Sequence, residues 1–347
     1  MSDGVAGRRG RTALWAFVAV GGLLLYLRAV GVDAVGTVLG RVGPGEAVAL
    51  AVLGAVPIVL WGVALYLVLH RLDVAATLPT AVALFAASGF LNNVTPFGQA
   101  GGDPVSGALV ARVGQTAFER GFAAVVSVSA ANTVAVVGLG VVGSGALFGT
   151  AAGVRTPVVV GVTVVSTAAV GVVAGLAWRR RERLVVRVGR GLGDRLARIG
   201  GAIPRVDPPD PDAVVERGRG FVAALERVTG SRRLLAAVFL LGGGGHLAVA
   251  ATLWLALAAF DATLPPAAVV VVVPAARVAG LSPTPGGTAS AEALLTGLIV
   301  AVGGVDVPVA AAAALLYRAA AFWLPTLGGG AAAVALVVAS DGQDSRR

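Results

Sequence analysis

Long apolar blocks separated by short polar punctuation run through this chain. Their lengths, near the roughly 20 residues that span a hydrocarbon core, predict membrane-crossing helices rather than strands. Thr12 to Leu27, preceded by Arg8, Arg9 and Arg11, is predicted as the first transmembrane helix with its N-terminus inside. A cleaved signal peptide fits poorly, because a multi-span chain follows. Ala47 to Leu69 makes the second helix and ends at His70-Arg71; Ala117 to Phe148 and Val158 to Trp178 make two more. Leu234 to Phe260 crosses in the second half. Asp306-Val307-Pro308 opens a last helix that carries Tyr317, Arg318 and Trp323 and kinks near Pro325 and Gly328 to Gly330. The pattern predicts an all-α polytopic bundle of about 6–8 transmembrane helices, one domain over residues 1–347.

Two stretches break the pattern inside apolar surroundings. The first, Asn92-Asn93-Val94-Thr95-Pro96-Phe97-Gly98-Gln99-Ala100-Gly101-Gly102-Asp103-Pro104, joins Thr77–Leu91 to Val105–Val113. The second, Gly280 to Thr288, contains Ser282, Pro283, Thr284, Pro285, Gly286 and Gly287, lies between Pro266–Ala279 and Ala289–Val302, and is followed by Glu292. Paired prolines and glycines stop helices, and irregular backbone at membrane depth survives only against protein or a wet cavity. Counting sides from Arg71 to Arg179 makes 77–115 a re-entrant hairpin entering from inside. The second hairpin then enters from outside. Aligned by eye, Thr95-Pro96 matches Thr284-Pro285, Asp103 matches Glu292, and Glu119-Arg120 matches Arg318. Two such units of opposite orientation form an inverted repeat, with the substrate expected where the interruptions meet.

Composition agrees with a membrane protein: 57% of the 347 residues are hydrophobic, 13% are charged, and mean hydropathy is +0.88. The absence of cysteine excludes disulfides and thiolate sites, and His70 and His246 lie too far apart in sequence for a metal motif. His246, beside Gly242 to Gly245, reads as a packed helix contact. No metal, nucleotide or other cofactor is expected. Residues 179–233 hold 14 of the 27 arginines against seven acids, a net of +7. That concentration reads as a cytoplasmic positive-inside loop rather than a nucleic-acid surface. Leu184, Val188, Leu192, Leu196 and Ile199 recur among its arginines as an amphipathic helix on the inner leaflet. The Pro204–Asp212 linker leads to a second amphipathic piece, Ala213 to Val228. Arg346 and Arg347 place the C-terminus inside as well.

With these motifs in hand, the chain resembles the lysylphosphatidylglycerol synthase transmembrane-region family, a flippase-like integral membrane module. The residues that carry the likeness are Thr95 through Pro104, Pro283-Thr284-Pro285-Gly286-Gly287, Glu292, and Leu315-Leu316-Tyr317-Arg318 through Phe322-Trp323-Leu324-Pro325. Relatives often place Glu where this chain has Asp103, and Gly where it has Ala289. The resemblance implies the lipid-handling module. The soluble aminoacyl-transferase domain of bifunctional members is not expected in these 347 residues.

A charge at the bilayer centre costs about 2.5–3.5 kcal/mol on insertion scales, so Asp103, Glu119, Arg120, Arg277, Glu292 and Arg318 must pair or line a hydrated cavity. Arg318 and Arg277 are expected to anchor a lipid phosphate, with Asp103 and Glu292 as counter-charges or contacts to a cationic headgroup. N–H groups around Gly101-Gly102 and Gly286-Gly287 are expected to cradle an anion. Asn92, Thr95, Pro96, Ser282, Pro285 and Tyr317 complete the candidate substrate-binding set. The alternative is that the charges are internal salt bridges, and that Glu119 and Arg120 snorkel at the inner interface. The expected function is translocation of a lipid or lipid-linked sugar. A non-catalytic subunit that recruits a soluble transferase and an enzyme modifying a lipid headgroup are the alternatives. No nucleotide loop, metal cluster or nucleophile motif supports the enzyme.

Overall fold

A computed structural model describes residues 21–95, 99–148, 211–276 and 284–344, with isolated positions between 175 and 190. All its regular elements are helical. Pro96, Arg277, Ser282 and most of the 158–178 helix, of the 184–199 amphipathic piece and of the 204–212 linker lie outside the described residues.

Helix α1 (Gly21–Val30) and α2 (Val32–Leu39) meet at a bend of 84°. Gly31 makes the corner with φ 87, a region a side chain would resist. The sequence assigns no helix between Leu27 and Ala47, where α2 lies. Helix α3 (Pro44–Arg71) starts with proline at its first position and with Glu46 accepting the Gly43 N–H at 2.6 Å. Thr77 caps α4 (Leu78–Val94) by accepting the Thr80 N–H at 3.3 Å. After the first interruption come α5 (Gln99–Val113) and α6 (Phe118–Phe148).

In the second half, α7 (Pro211–Thr229) leads to α8 (Arg232–Ala258), capped by Ser231. Then follow α9 (Pro266–Ala276), the single turn Pro285–Gly287, α10 (Ser290–Gly303) and α11 (Val307–Arg318). A π-helical turn, Ala319–Trp323, joins α11 to α12 (Leu324–Asp344). Pro325 lacks an N–H and its ring crowds the carbonyl four residues back. The chain relaxes one position ahead of it, where the Leu324 N–H reaches the Ala319 carbonyl. The expected kink is thus a π bulge.

Among the described residues, four helices are long and apolar enough to cross a membrane (44–71, 118–146, 232–258 and 307–342), or five if the bent α1–α2 pair is one span. Leu24, Leu240, Leu327, Val334 and Val338 point outward and are more than half exposed, as a lipid-facing surface requires. Helices α4, α5, α9 and α10 have 17, 15, 11 and 14 residues, at most about 26 Å of rise each and short of a full span. They pair as two helical hairpins. In the first, Gly114 at the far end of α5 touches Val74 ahead of α4; in the second, Gly303 at the end of α10 touches Leu264 ahead of α9.

Helix contacts depend on missing side chains. A Cβ on Gly62 would strike Val82 of α4, one on Gly107 would strike Phe122 of α6, and one on Gly329 would strike the Ala86 carbonyl. Close backbone approach of this kind holds helices together where water exclusion offers little. Two large buried apolar clusters result, beside a small one of Leu50, Ala256 and Ala320. One gathers Tyr26, Leu253, Leu257, Val269 to Val273, Leu295, Ile299 and Ala310 to Ala314; the other gathers Leu65, Leu69, Leu72, Leu84, Val110, Ala123 to Val125 and Val128.

Helix α7 is amphipathic as expected, but its apolar face lies on the bundle. Val215, Val222, Ala224 and Val228 are buried, and Phe221 stacks on Phe122 of α6 with ring centres 5.1 Å apart. Asp73 is bound by Arg227 of this helix. That guanidinium holds the Asp73 carboxyl below its ordinary range.

Candidate functional site

Between the two apolar clusters lies a cavity of about 660 Å³. Leu65, Val125 and Val128 border it from one cluster, Val273, Ala276 and Leu295 from the other. Both interruptions reach it. Asn92, Thr95 and Asp103 come from the first; Thr284 and Gly286 come from the second, with Tyr317 and Arg318 from the end of α11.

The first interruption is narrower than its sequence indicates. Asn92 and Asn93 complete α4, while Gly101, Gly102, Asp103 and Pro104 already belong to α5. Their helical state follows from position: the opening turn of a helix needs few N–H partners, so glycines and a proline are tolerated there. Gly102 packs directly on Asn92, where any Cβ would overlap the amide. Asn92 Nδ2 donates to Asp103 Oδ1 at 3.0 Å across the break. Asn93 Nδ2 donates to Thr326 Oγ1 at 2.6 Å, tying the hairpin tip to α12. Among the described residues, no cationic side chain is paired with Asp103.

The second interruption is built around an ion pair. Arg318 Nε donates to Glu292 Oε1 at 2.8 Å and Arg318 Nη2 donates to the Gly286 carbonyl at 3.0 Å. Its guanidinium also lies 3.7 Å from the Phe322 ring centre. Glu292 is 1% exposed and Arg318 8%. A buried carboxylate and guanidinium each require the other, so Arg318 fastens α10 and the turn to α11. Glu292 is its counter-charge, one of the two roles the sequence left open for it. The phosphate-anchor role anticipated for Arg318 meets a guanidinium already committed on two of its three nitrogens.

The glycine cradle also takes a different form. The Gly287 N–H donates to the Thr284 carbonyl at 3.0 Å and is not free to hold an anion, and the Cα of Gly102 packs on Asn92. Gly286 (φ 59) and Gly287 (φ 64) supply left-handed turns, and Gly286 leaves room for Phe322. Pro285 opens the turn. Ala289 also has positive φ, 73, at the position where the sequence comparison expects glycine.

Glu119 and Arg120 do not join the site. Glu119 lies 3.7 Å from Arg217 of α7, and Arg120 is exposed. They sit at the end of the bundle, so the proposed match of Glu119-Arg120 to Arg318 is not seen in their positions. Proximity to an apolar run in sequence does not distinguish membrane surface from midplane.

One wall was missed. Trp61 of α3, Ser129, Asn132 and Thr133 of α6, and His246 of α8 line the cavity. The available signal was the Ser129–Asn132–Thr133 spacing, which puts three polar groups on one helical face of an apolar span. Here the glycines before His246 acquire a reason. Gly245 gives Trp61 space, Gly242 gives Asn132 space, and the Gly242 carbonyl accepts the Trp61 indole N–H at 3.2 Å. His246 Nε2 lies 3.0 Å from the Asn132 carbonyl, and its ring centre is 5.0 Å from that of Trp61. His246 is thus a packed contact, as expected, and also a cavity residue.

Broken and long apolar helices around a cavity that carries a few polar side chains define a multi-pass α-helical membrane protein. The family model of the lysylphosphatidylglycerol synthase TM region matches residues 13–329, nearly the whole chain. The chain belongs to that family. No curated protein matches it.

Proposed function

We propose that this protein translocates a lipid, or a lipid-linked headgroup, by drawing the headgroup into the cavity while its tails stay in the bilayer. The observation that carries the reading is one cavity, largely apolar but bordered by Asn92, Asp103, Asn132 and His246, reached by both broken segments, the arrangement by which transporters place substrate at the meeting of interrupted helices. The two hairpins then enter from opposite leaflets as an inverted repeat. Asp103 serves as the cavity's charged contact, with Asn92, Thr95 and Tyr317 beside it. Arg277 and Ser282, in the segment just ahead of the second turn, complete the binding set.

The proposed location is the cell membrane, with both termini and residues 179–233 cytoplasmic. Three contacts at one end of the bundle support it: Arg112 with Asp341 near the C-terminus, Asp73 with Arg227, and Glu119 with Arg217. They gather the C-terminal end and the basic loop on one face, where positive charge favours the cytoplasm.

The test is leaflet exposure of acyl-labelled lipids in liposomes holding the purified protein. Wild type accelerates exchange, and Asp103→Ala lowers that rate at least about tenfold, the scale of one lost charged contact. Protein-free rates with wild type would end the reading. A second reading, a docking subunit for a soluble transferase, is favoured by the outward charges Glu216, Arg217, Arg219 and Glu226 on α7. Loss of a co-purifying transferase on neutralising those four residues would support it.

A further inference from the structure

We infer that Asp103 is a proton site, and that the cavity exchanges a proton for the headgroup, so that lipid movement is coupled to a proton gradient. The inference rests on the translocation reading above and names its coupling ion.

The contrast between two acids carries the argument. Glu292 is buried against Arg318, whose guanidinium also bonds the Gly286 carbonyl. An arginine is not deprotonated in a protein, so its partner acid stays ionised. Asp103 is half-buried near the start of α5 and borders the cavity. Its partners among the described residues are neutral. Asn92 Nδ2 donates to Asp103 Oδ1 at 3.0 Å, and the Ser129 hydroxyl of α6 lies within hydrogen-bonding reach. The amide N–H serves the ionised acid and also the carbonyl oxygen of the neutral one. The hydroxyl gives its hydrogen to the ionised acid or accepts one from the neutral acid. Together they suit both protonation states without moving the backbone.

The neighbouring elements add no charge that fixes the choice. Of the helices packed on α5, α4 carries no titratable residue. Helix α6 brings Glu119 and Arg120, and α12 brings Asp341 and Asp344. Glu119, Arg120 and Asp341 lie at the bundle end, where Asp341 meets Arg112 of α5 itself. Across the cavity stand His246, Tyr317 and Arg318. Arg318 is committed to Glu292, and His246 Nε2 lies 3.0 Å from the Asn132 carbonyl. Arg277 follows the cavity residue Ala276 in the chain and enters the test below.

Proton and headgroup exclude each other at this carboxylate. When ionised it accepts charge-assisted bonds from headgroup N–H or O–H groups, about twice as strong as neutral ones. The protonated acid has lost that advantage. Each headgroup that leaves Asp103 is replaced by one proton from water, and each that arrives returns one. Sharing a single site makes the coupling an exchange.

The experiment uses liposomes holding the full chain, with valinomycin and potassium clamping the voltage. Acyl-labelled phosphatidylethanolamine, phosphatidylglycerol and glucosyl diacylglycerol, whose headgroups all carry N–H or O–H donors, are followed with and without a pH gradient. At least one label should accumulate in the leaflet facing the acidic side, approaching about tenfold per pH unit. Asp103→Asn abolishes that bias whatever rate remains. Infrared titration in nanodiscs reads the site without transport: a protonated-carboxyl band grows as pH falls, is missing in Asp103→Asn and persists in His246→Gln. Ser129→Ala moves its midpoint to higher pH, because the ionised acid loses a donor. A bias that survives Asp103→Asn but not His246→Gln gives the proton to His246 and overturns the assignment. A bias seen only in Arg277→Gln shows Asp103 held ionised in wild type and overturns it too. Exchange that ignores the gradient ends this inference and keeps the translocation reading. No exchange of any of the three lipids ends that reading and the coupling with it.

Discussion

The two interruptions use similar residues and reach opposite solutions. At the first, the helix resumes almost at once and the acidic side chain, Asp103, is held by a neutral amide, Asn92, at the cavity edge. At the second, the backbone passes through successive left-handed residues, and the acidic side chain, Glu292, is sealed against Arg318. One break keeps its charge facing the cavity. The other uses its charge to hold the protein together. Aligned by letters, Asp103 and Glu292 look equivalent; by environment, one borders the cavity and the other is locked into the fold.

The largest effect that can break this comparison is removal of each acid in turn. Glu292→Leu strands a buried guanidinium and should cost about 3–5 kcal/mol, read as a fall in Tm in detergent. Asp103→Leu leaves no buried cation without a partner among the described residues and should cost clearly less, while headgroup binding is lost. Equal losses of stability would show that both acids are structural. Adding Arg318→Met to Glu292→Leu should recover most of the stability, because an apolar pair often replaces a buried ion pair without penalty. Next in size is Gly102→Ala. Its Cβ overlaps Asn92, and overpacking of this kind costs about 1–3 kcal/mol. Gly101→Ala on the same turn is the control and should cost less.

Much of this was legible. Apolar run length located α3, α6, α8 and the 307–344 segment within a few residues, because a lipid-exposed helix has little freedom in composition. The charge argument located the Arg318–Glu292 pair in kind, since a buried guanidinium demands a partner. Three things were not readable. Helix α2 has eight residues and a bend set by one glycine, too short for a periodic signal. The state of Gly101 to Pro104 depended on position within a first turn, not on residue type. Asn132 was hidden in a single apolar block, where only the facing of α6 toward the cavity gives it meaning.

Ala289 sharpens the comparison from the backbone side. Its φ of 73 places a Cβ where glycine sits comfortably, and the second interruption carries that strain while the first has no described counterpart. Such a conformation costs about 1–2 kcal/mol in a non-glycine residue. Ala289→Gly should therefore raise stability by about 1 kcal/mol, after the entropy glycine returns to the unfolded chain. A lower Tm would mean that the Ala289 methyl, against which Gly22 packs closely, contributes more than the strain removes.

The smallest effect lies at the bundle end, where Arg227 holds Asp73. Its hydrogen bond and charge lower the Asp73 carboxyl in the folded protein. The contribution is therefore complete above the ordinary carboxylate value of 3.8 and is lost as pH falls through the lowered folded-state value. Exposure and salt screening keep it small, so the readout must be local: hydrogen exchange of α7 amides between neutral and acid pH. Acid should loosen α7 before the cavity helices. Asp73→Asn, which tolerates the positive φ of 56 at that position, should loosen α7 at neutral pH and flatten that part of the acid response. An unchanged acid response in the variant would show that the Asp73–Arg227 contact is not what loosens α7 in acid.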